Sequence, residues 1–112
     1  MREGLDEETL AVYDLLLKPD LKPTEINSIK TVAASLLKTL KDEKLKIDHW
    51  REKESARDAV KQAIYDFLWN DRTGLPTECY TEDDVTLKTD LVYEHIYRAY
   101  PTVPSPFYTD VA

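Results

Sequence analysis

The stretch PTEINSIKTVAASLLKTLK, residues 23–41, decides the fold. Its apolar residues Ile26, Ile29, Ala33, Leu36, Leu37 and Leu40 follow one another at intervals of three, four, three, one and three. That repeat lines one face of an α-helix, whereas a half-buried strand would alternate at every second residue. Pro23 fits the first helical position, where its missing N–H would have had no partner in any case. Lys30, Lys38 and Lys41 flank the stripe, and the pattern fades near Leu45.

Three further helices read outward from this one. Upstream, Leu10, Tyr13, Leu16 and Leu17 share a face of a helix from about Asp6 to Leu17. Its first turn holds Asp6, Glu7 and Glu8, whose charge complements the free N–H groups there. Lys18-Pro19-Asp20 stops it, since proline disfavours helix in the residue before it. Downstream, Asp48 is placed to cap a third helix from about His49 to Trp69, with Ala56, Val60, Ala63, Ile64, Phe67 and Leu68 on its apolar face. The run Asn70–Pro76 is a loop. Thr81 and Asp84 form an Asp variant of the capping box and open a fourth helix, which buries Val85, Val92, Tyr93, Ile96, Ala99 and Tyr100. Pro101, Pro104 and Pro106 end it and hold the tail Pro101–Ala112 extended. Residues 1–112 thus read as a single all-α domain, a small four-helix bundle with an extended Pro-rich C-terminal tail.

Composition supports that class. The chain has 112 residues, 42% hydrophobic and 33% charged, which is ordinary for one globular domain. Its two glycines, Gly4 and Gly74, are too few for the tight turns of a sandwich or barrel. The single Cys79 makes no internal disulfide. The start, MREGLDEETL, has no apolar signal-peptide core, and no apolar run approaches membrane-span length. A cytoplasmic location follows as an expectation. The net charge of −7 disfavours a domain devoted to gripping phosphates. It is unevenly spread, with residues 21–61 at +3 and residues 62–112 at −6. Such asymmetry suits a domain docked in a larger assembly, and solubility accounts for it equally well.

Catalytic constellations are not found. Two histidines, His49 and His95, and one cysteine match no paired zinc-ligand spacing. His95 lies one turn from Leu91 and Ala99 and reads as a packing residue, and His49 as structural at a helix start. Two glycines cannot build a phosphate loop, and no G-x-S-x-G is present. Asp42-Glu43-Lys44 has the acid-x-Lys spacing of metal-dependent nucleases, but those enzymes place it on a strand. In the last turn of a helix these side chains diverge by about 100° per residue. The expectation is therefore no catalytic, cofactor-binding or metal-binding residue.

The surface carries what remains. Trp69 lies nearly opposite the apolar face of the third helix, and Tyr97 lies towards the edge of the fourth. Either they cover the core or they anchor a partner, since Trp and Tyr are enriched in interface hot spots. Lys53, Arg57 and Lys61 line one edge of the third helix at intervals of four. They form a solvated flank or, as the sharper alternative, a contact to a nucleic-acid backbone.

From Leu45 onward the chain resembles the extreme C-terminal segment of the R subunit of type I restriction–modification enzymes. The residues that carry the resemblance are Lys46–Lys53 (KIDHWREK), Ala56–Lys61 leading to Ile64–Leu68, the loop Thr73-Gly74-Leu75-Pro76, Tyr80–Asp84 and Val92–Tyr100. Upstream, Leu10–Leu17 fits the helical lead-in to that segment. The resemblance implies a parent that is an ATP- and Mg²⁺-dependent DNA translocase and endonuclease, a type I site-specific deoxyribonuclease. Its chemistry would reside in other parts of the polypeptide, because no position here matches the nuclease or helicase motifs. This segment would be a non-catalytic assembly domain, a piece of a longer polypeptide. Its partners would be the modification and specificity subunits or the motor domains of the same R subunit, with DNA touched only indirectly or weakly. The alternative is a nucleic-acid-contacting helical module that uses the Lys53/Arg57/Lys61 edge.

Overall fold

The structure is a computed structural model and describes residues 4–108. Four α-helices make it up: α1 (Glu7–Leu16), α2 (Pro23–Glu43), α3 (Glu54–Leu68) and α4 (Glu82–Ala99), with a short 3₁₀ turn at Trp50–Glu52 before α3. No strand occurs among the described residues. The principal helix pairings are α1–α2, α2–α3, α3–α4 and α1–α4, which close the bundle.

Local chemistry starts α1, α2 and α4 where the sequence places them. The Asp6 carboxylate caps α1 by accepting from the Thr9 N–H at 2.8 Å. Pro23 is the first residue of α2, and Glu25 reaches back to accept from the Lys22 N–H at 2.8 Å. At α4 the capping box is reciprocal: the Asp84 N–H donates to Thr81 Oγ1 at 3.1 Å, and the Thr81 N–H donates to Asp84 Oδ2 at 3.0 Å. Gly74 closes the turn after α3. A Cβ there would stand 2.2 Å from the Leu68 carbonyl oxygen, the acceptor of the Leu75 N–H, so only glycine fits.

The third helix differs from its expected start. Asp48 does not cap it, because His49 is left-handed (φ 54°) and Lys53 is extended, so α3 begins at Glu54. The cause is Trp50, whose indole is fully buried and donates to the Tyr100 carbonyl at 2.7 Å. Seating that ring under the end of α4 takes a turn in the chain that a straight helix from His49 would not make.

The core gathers Val12, Leu16, Ile29, Leu36, Leu40, Val60, Ile64, Leu68, Val92 and Ile96 with three buried aromatics, Trp50, Tyr80 and Tyr100. Buried tyrosines and tryptophans need partners for their polar ends. Tyr80 donates to the Leu16 carbonyl at 2.6 Å, and Tyr100 donates to Glu8 Oε1 at 2.7 Å. Phe67, Tyr93 and Ile26, read as members of buried stripes, are only partly covered and pack on the core from its rim.

The described part of the tail carries no helix, as expected, but it is not extended either. Residues 101–108 turn back against the end of α4. Ser105 is buried and its hydroxyl donates to the Ala99 carbonyl. The Tyr108 ring lies 6.0 Å from that of Tyr100. The Val103–Pro104 peptide is cis. Residues 109–112 of that tail lie outside the described residues.

Two substitutions measure this core. Leu37→Ala should cost about 2–5 kcal/mol in urea unfolding, and half-covered Phe67→Ala distinctly less. Trp50→Phe keeps an aromatic ring but leaves the Tyr100 carbonyl without its donor, which should cost about 1–3 kcal/mol. A loss below about 0.5 kcal/mol for Trp50→Phe would be that of an ordinary surface change and would contradict its anchoring role.

Candidate interaction surface

Helices α3 and α4 run antiparallel. The Tyr65 hydroxyl near the end of α3 donates to Glu82 at the start of α4 (2.7 Å), and Lys61 pairs with Asp90 one step further along (3.1 Å). This pairing decides how the exposed aromatics relate. Trp69, 42% exposed, follows α3, whereas Tyr97, 38% exposed, lies in the last turns of α4. The length of α3, about 22 Å at 1.5 Å per residue, separates their levels along the bundle. The two do not form one patch.

Tyr97 instead shares a groove with Arg57 of the basic edge. Its ring meets the buried Trp50 edge-on at 6.0 Å and lies tilted beside Tyr93 at 6.2 Å. The Arg51 guanidinium sits over it at 5.2 Å, and Lys61 sits over Tyr93 at 5.7 Å. Cations over aromatic faces gain from the ring quadrupole. Arg57, Tyr93, Glu94, Tyr97 and Arg98 line an open groove of about 380 Å³ between α3 and α4. Of the three cations read as a basic edge, Lys61 is neutralised by Asp90 and Arg57 donates to the Arg51 carbonyl at 2.7 Å. Lys53 is exposed, and its ammonium meets no hydrogen-bond or ion-pair partner among the described residues.

Arg51 and Arg98 belong to this surface and were not singled out from sequence, and Tyr93, expected to be buried, is only partly covered and belongs to it too. A signal existed: Tyr93 and Tyr97 are four apart on one helix, with Arg98 beside them. What the pattern did not carry was that the 3₁₀ turn brings Arg51 alongside.

The remaining titratable candidates have structural surroundings. His49 is exposed, with Nδ1 2.8 Å from Glu52 Oε2. Cys79 is partly covered, and burial raises its thiol pKa, the reverse of an activated nucleophile. Asp42 lies in the last turn of α2, as read, and pairs with Lys38 at 2.7 Å. Among the described residues no three His, Cys, Asp or Glu side chains converge on a point that would hold a metal.

His95 packs against the rings of Tyr100 (6.4 Å) and Tyr108 (6.3 Å), which also touch each other. Its Nε2 is buried without a hydrogen-bond partner among the described residues. Burial, assisted by the nearby Arg98 charge, holds its pKa below the ordinary value of 6.5. The folded state therefore favours neutral imidazole, and the unfolded chain takes up the proton first as pH falls. His95 costs no stability above its unfolded pKa and lowers stability as pH drops from there towards its folded value. Unfolding free energy measured between about pH 7 and 5 should fall with acidification, and His95→Phe should flatten that slope. An unchanged slope in His95→Phe would assign the titration to another group.

Compared with protein-family profiles, with curated proteins and with solved structures, the chain matches none.

Proposed function

We propose that this chain is a non-catalytic assembly domain of a type I restriction enzyme R subunit, working through the α3–α4 surface. The order and spacing of KIDHWREK, the TGLP loop and the Val92–Tyr100 helix support the parent. The observation that carries the role is the groove itself. Tyr93 and Tyr97, stacked with cations and open to solvent, are the aromatic and arginine chemistry in which interface hot spots are enriched. The parent's ATP- and Mg²⁺-dependent steps belong to its other domains, and the modification and specificity subunits or the adjacent motor are the partners. Among the described residues no helix is long and apolar enough to cross a membrane, and a cytoplasmic site of action is part of the proposal.

The alternative, a nucleic-acid-contacting module, draws support from the same pairing of guanidinium and tyrosine, since bases stack on such platforms. Against it stand the net charge of −7 and the neutralisation of Lys61 by Asp90. Tight, salt-steep binding of duplex DNA by the isolated chain would favour that alternative.

The assembly reading predicts a separation of functions. An R subunit lacking this domain should keep basal ATP hydrolysis and lose stable association with the modification core in co-sedimentation. Full association without the domain would contradict the reading.

A further inference from the structure

We infer that the α3–α4 groove is a receptor for a carboxylate-bearing peptide segment, gripped by Arg57 and Arg98 with Arg51 at the rim. The inference rests on the assembly reading and specifies the chemistry of the partner. It begins from where the charges are compensated. Three lysines in the helix seams have carboxylate partners, Lys18 with Asp84 (3.0 Å), Lys41 with Glu8 (2.6 Å) and Lys61 with Asp90 (3.1 Å), and a fourth, Lys88, is held by the Leu17 carbonyl (2.8 Å). Arg51, Arg57 and Arg98 differ. In a chain with 22 acidic residues against 15 basic ones, none of the three has a carboxylate within ion-pair distance among the described residues.

The guanidinium groups of Arg51 and Arg57 are nonetheless held in place, and that of Arg98 more loosely. Arg51 donates one N–H to the Tyr97 carbonyl at 2.9 Å, Arg57 one to the Arg51 carbonyl at 2.7 Å, and Arg98 its Nε–H to the Glu94 carbonyl at 3.4 Å. Each guanidinium carries five N–H donors, so these bonds to backbone orient the planar fork and leave donors for a ligand. A carboxylate is the complementary acceptor, because it takes two parallel N–H bonds from one fork. Tyr93 and Tyr97 supply apolar faces for the carbon of the same segment.

Size and charge favour a peptide over a nucleic acid. The groove, about 380 Å³, has room for a few side chains. A phosphate backbone needs a continuing track of free cations, and the track along α3 ends where Asp90 neutralises Lys61.

Fluorescence anisotropy of a labelled peptide of alternating glutamate and phenylalanine, titrated with the full chain, tests this. The acidic peptide should bind, and its glutamine counterpart should not. Arg98→Gln should weaken binding by about tenfold, the loss of one charged fork. Arg57→Gln should do likewise, with circular dichroism checking that the turn Arg57 supports survives. Arg72→Gln, the same charge change in the loop after α3, should leave binding unchanged. Absence of peptide binding, equal loss in Arg72→Gln, or tighter binding of single-stranded oligothymidylate than of the peptide would each overturn the inference. Failure here beside lost assembly of the domain-less R subunit would reject the peptide receptor and keep the assembly reading. Peptide binding beside intact assembly would reject the assembly reading and keep the receptor.

Discussion

One chain of polar contacts ties all four helices together. The Trp50 indole N–H donates to the Tyr100 carbonyl, the Tyr100 hydroxyl donates to Glu8, and Lys41 pairs with the same Glu8 oxygen at 2.6 Å. The chain runs from the turn before α3, through the end of α4, to α1 and then α2. Each buried ring contributes its full apolar surface only because its polar end finds a partner, since an unpaired polar group inside would offset much of that gain. A second clamp works at the other end of α1. There Tyr80 and Lys88 (2.8 Å) donate to the carbonyls of Leu16 and Leu17, and Lys18 reaches Asp84. Carbonyls at a helix end have no intrahelical partner, so these side chains both satisfy them and fix where α4 lies.

The groove depends on that anchoring. Trp50 cannot be buried under α4 without the His49 turn, and the turn places Arg51 against Tyr97. Arg57 then holds the turn by donating to the Arg51 carbonyl. Fold and surface are thus coupled through a few residues, and a change at Trp50 would be felt at Tyr97, whose ring rests on it edge-on.

What the sequence revealed was local. The Ile26–Leu40 stripe, Pro23 at the start of α2, and the Thr81–Asp84 box depend on neighbours within a turn, and they appear where periodicity and capping chemistry put them. The start of α3 was misread because its cause lies fifty residues away, at Tyr100. Burial of Tyr80 depends likewise on Leu16, at a separation of 64 residues. The turned tail is governed by contacts of Ser105 and Tyr108, which prolines alone do not announce. Trp69 and Tyr97 looked equivalent as exposed aromatics, yet α3 and α4 run antiparallel, and that sets the end of one beside the start of the other. Of the surface residues named from sequence, Arg57 and Tyr97 line one groove, Lys61 lies over the Tyr93 ring beside it, and Lys53 and Trp69 are not part of it.

The α3–α4 groove is the place where, on the proposed reading, a partner engages this domain. The measurement is hydrogen–deuterium exchange of the R subunit proposed as its parent, free and assembled with the modification core. Assembly should slow exchange in peptides spanning Arg51–Arg57 and Tyr93–Arg98, with little change around Trp69. Protection confined to the Trp69 end, or none anywhere in the domain, would contradict the account.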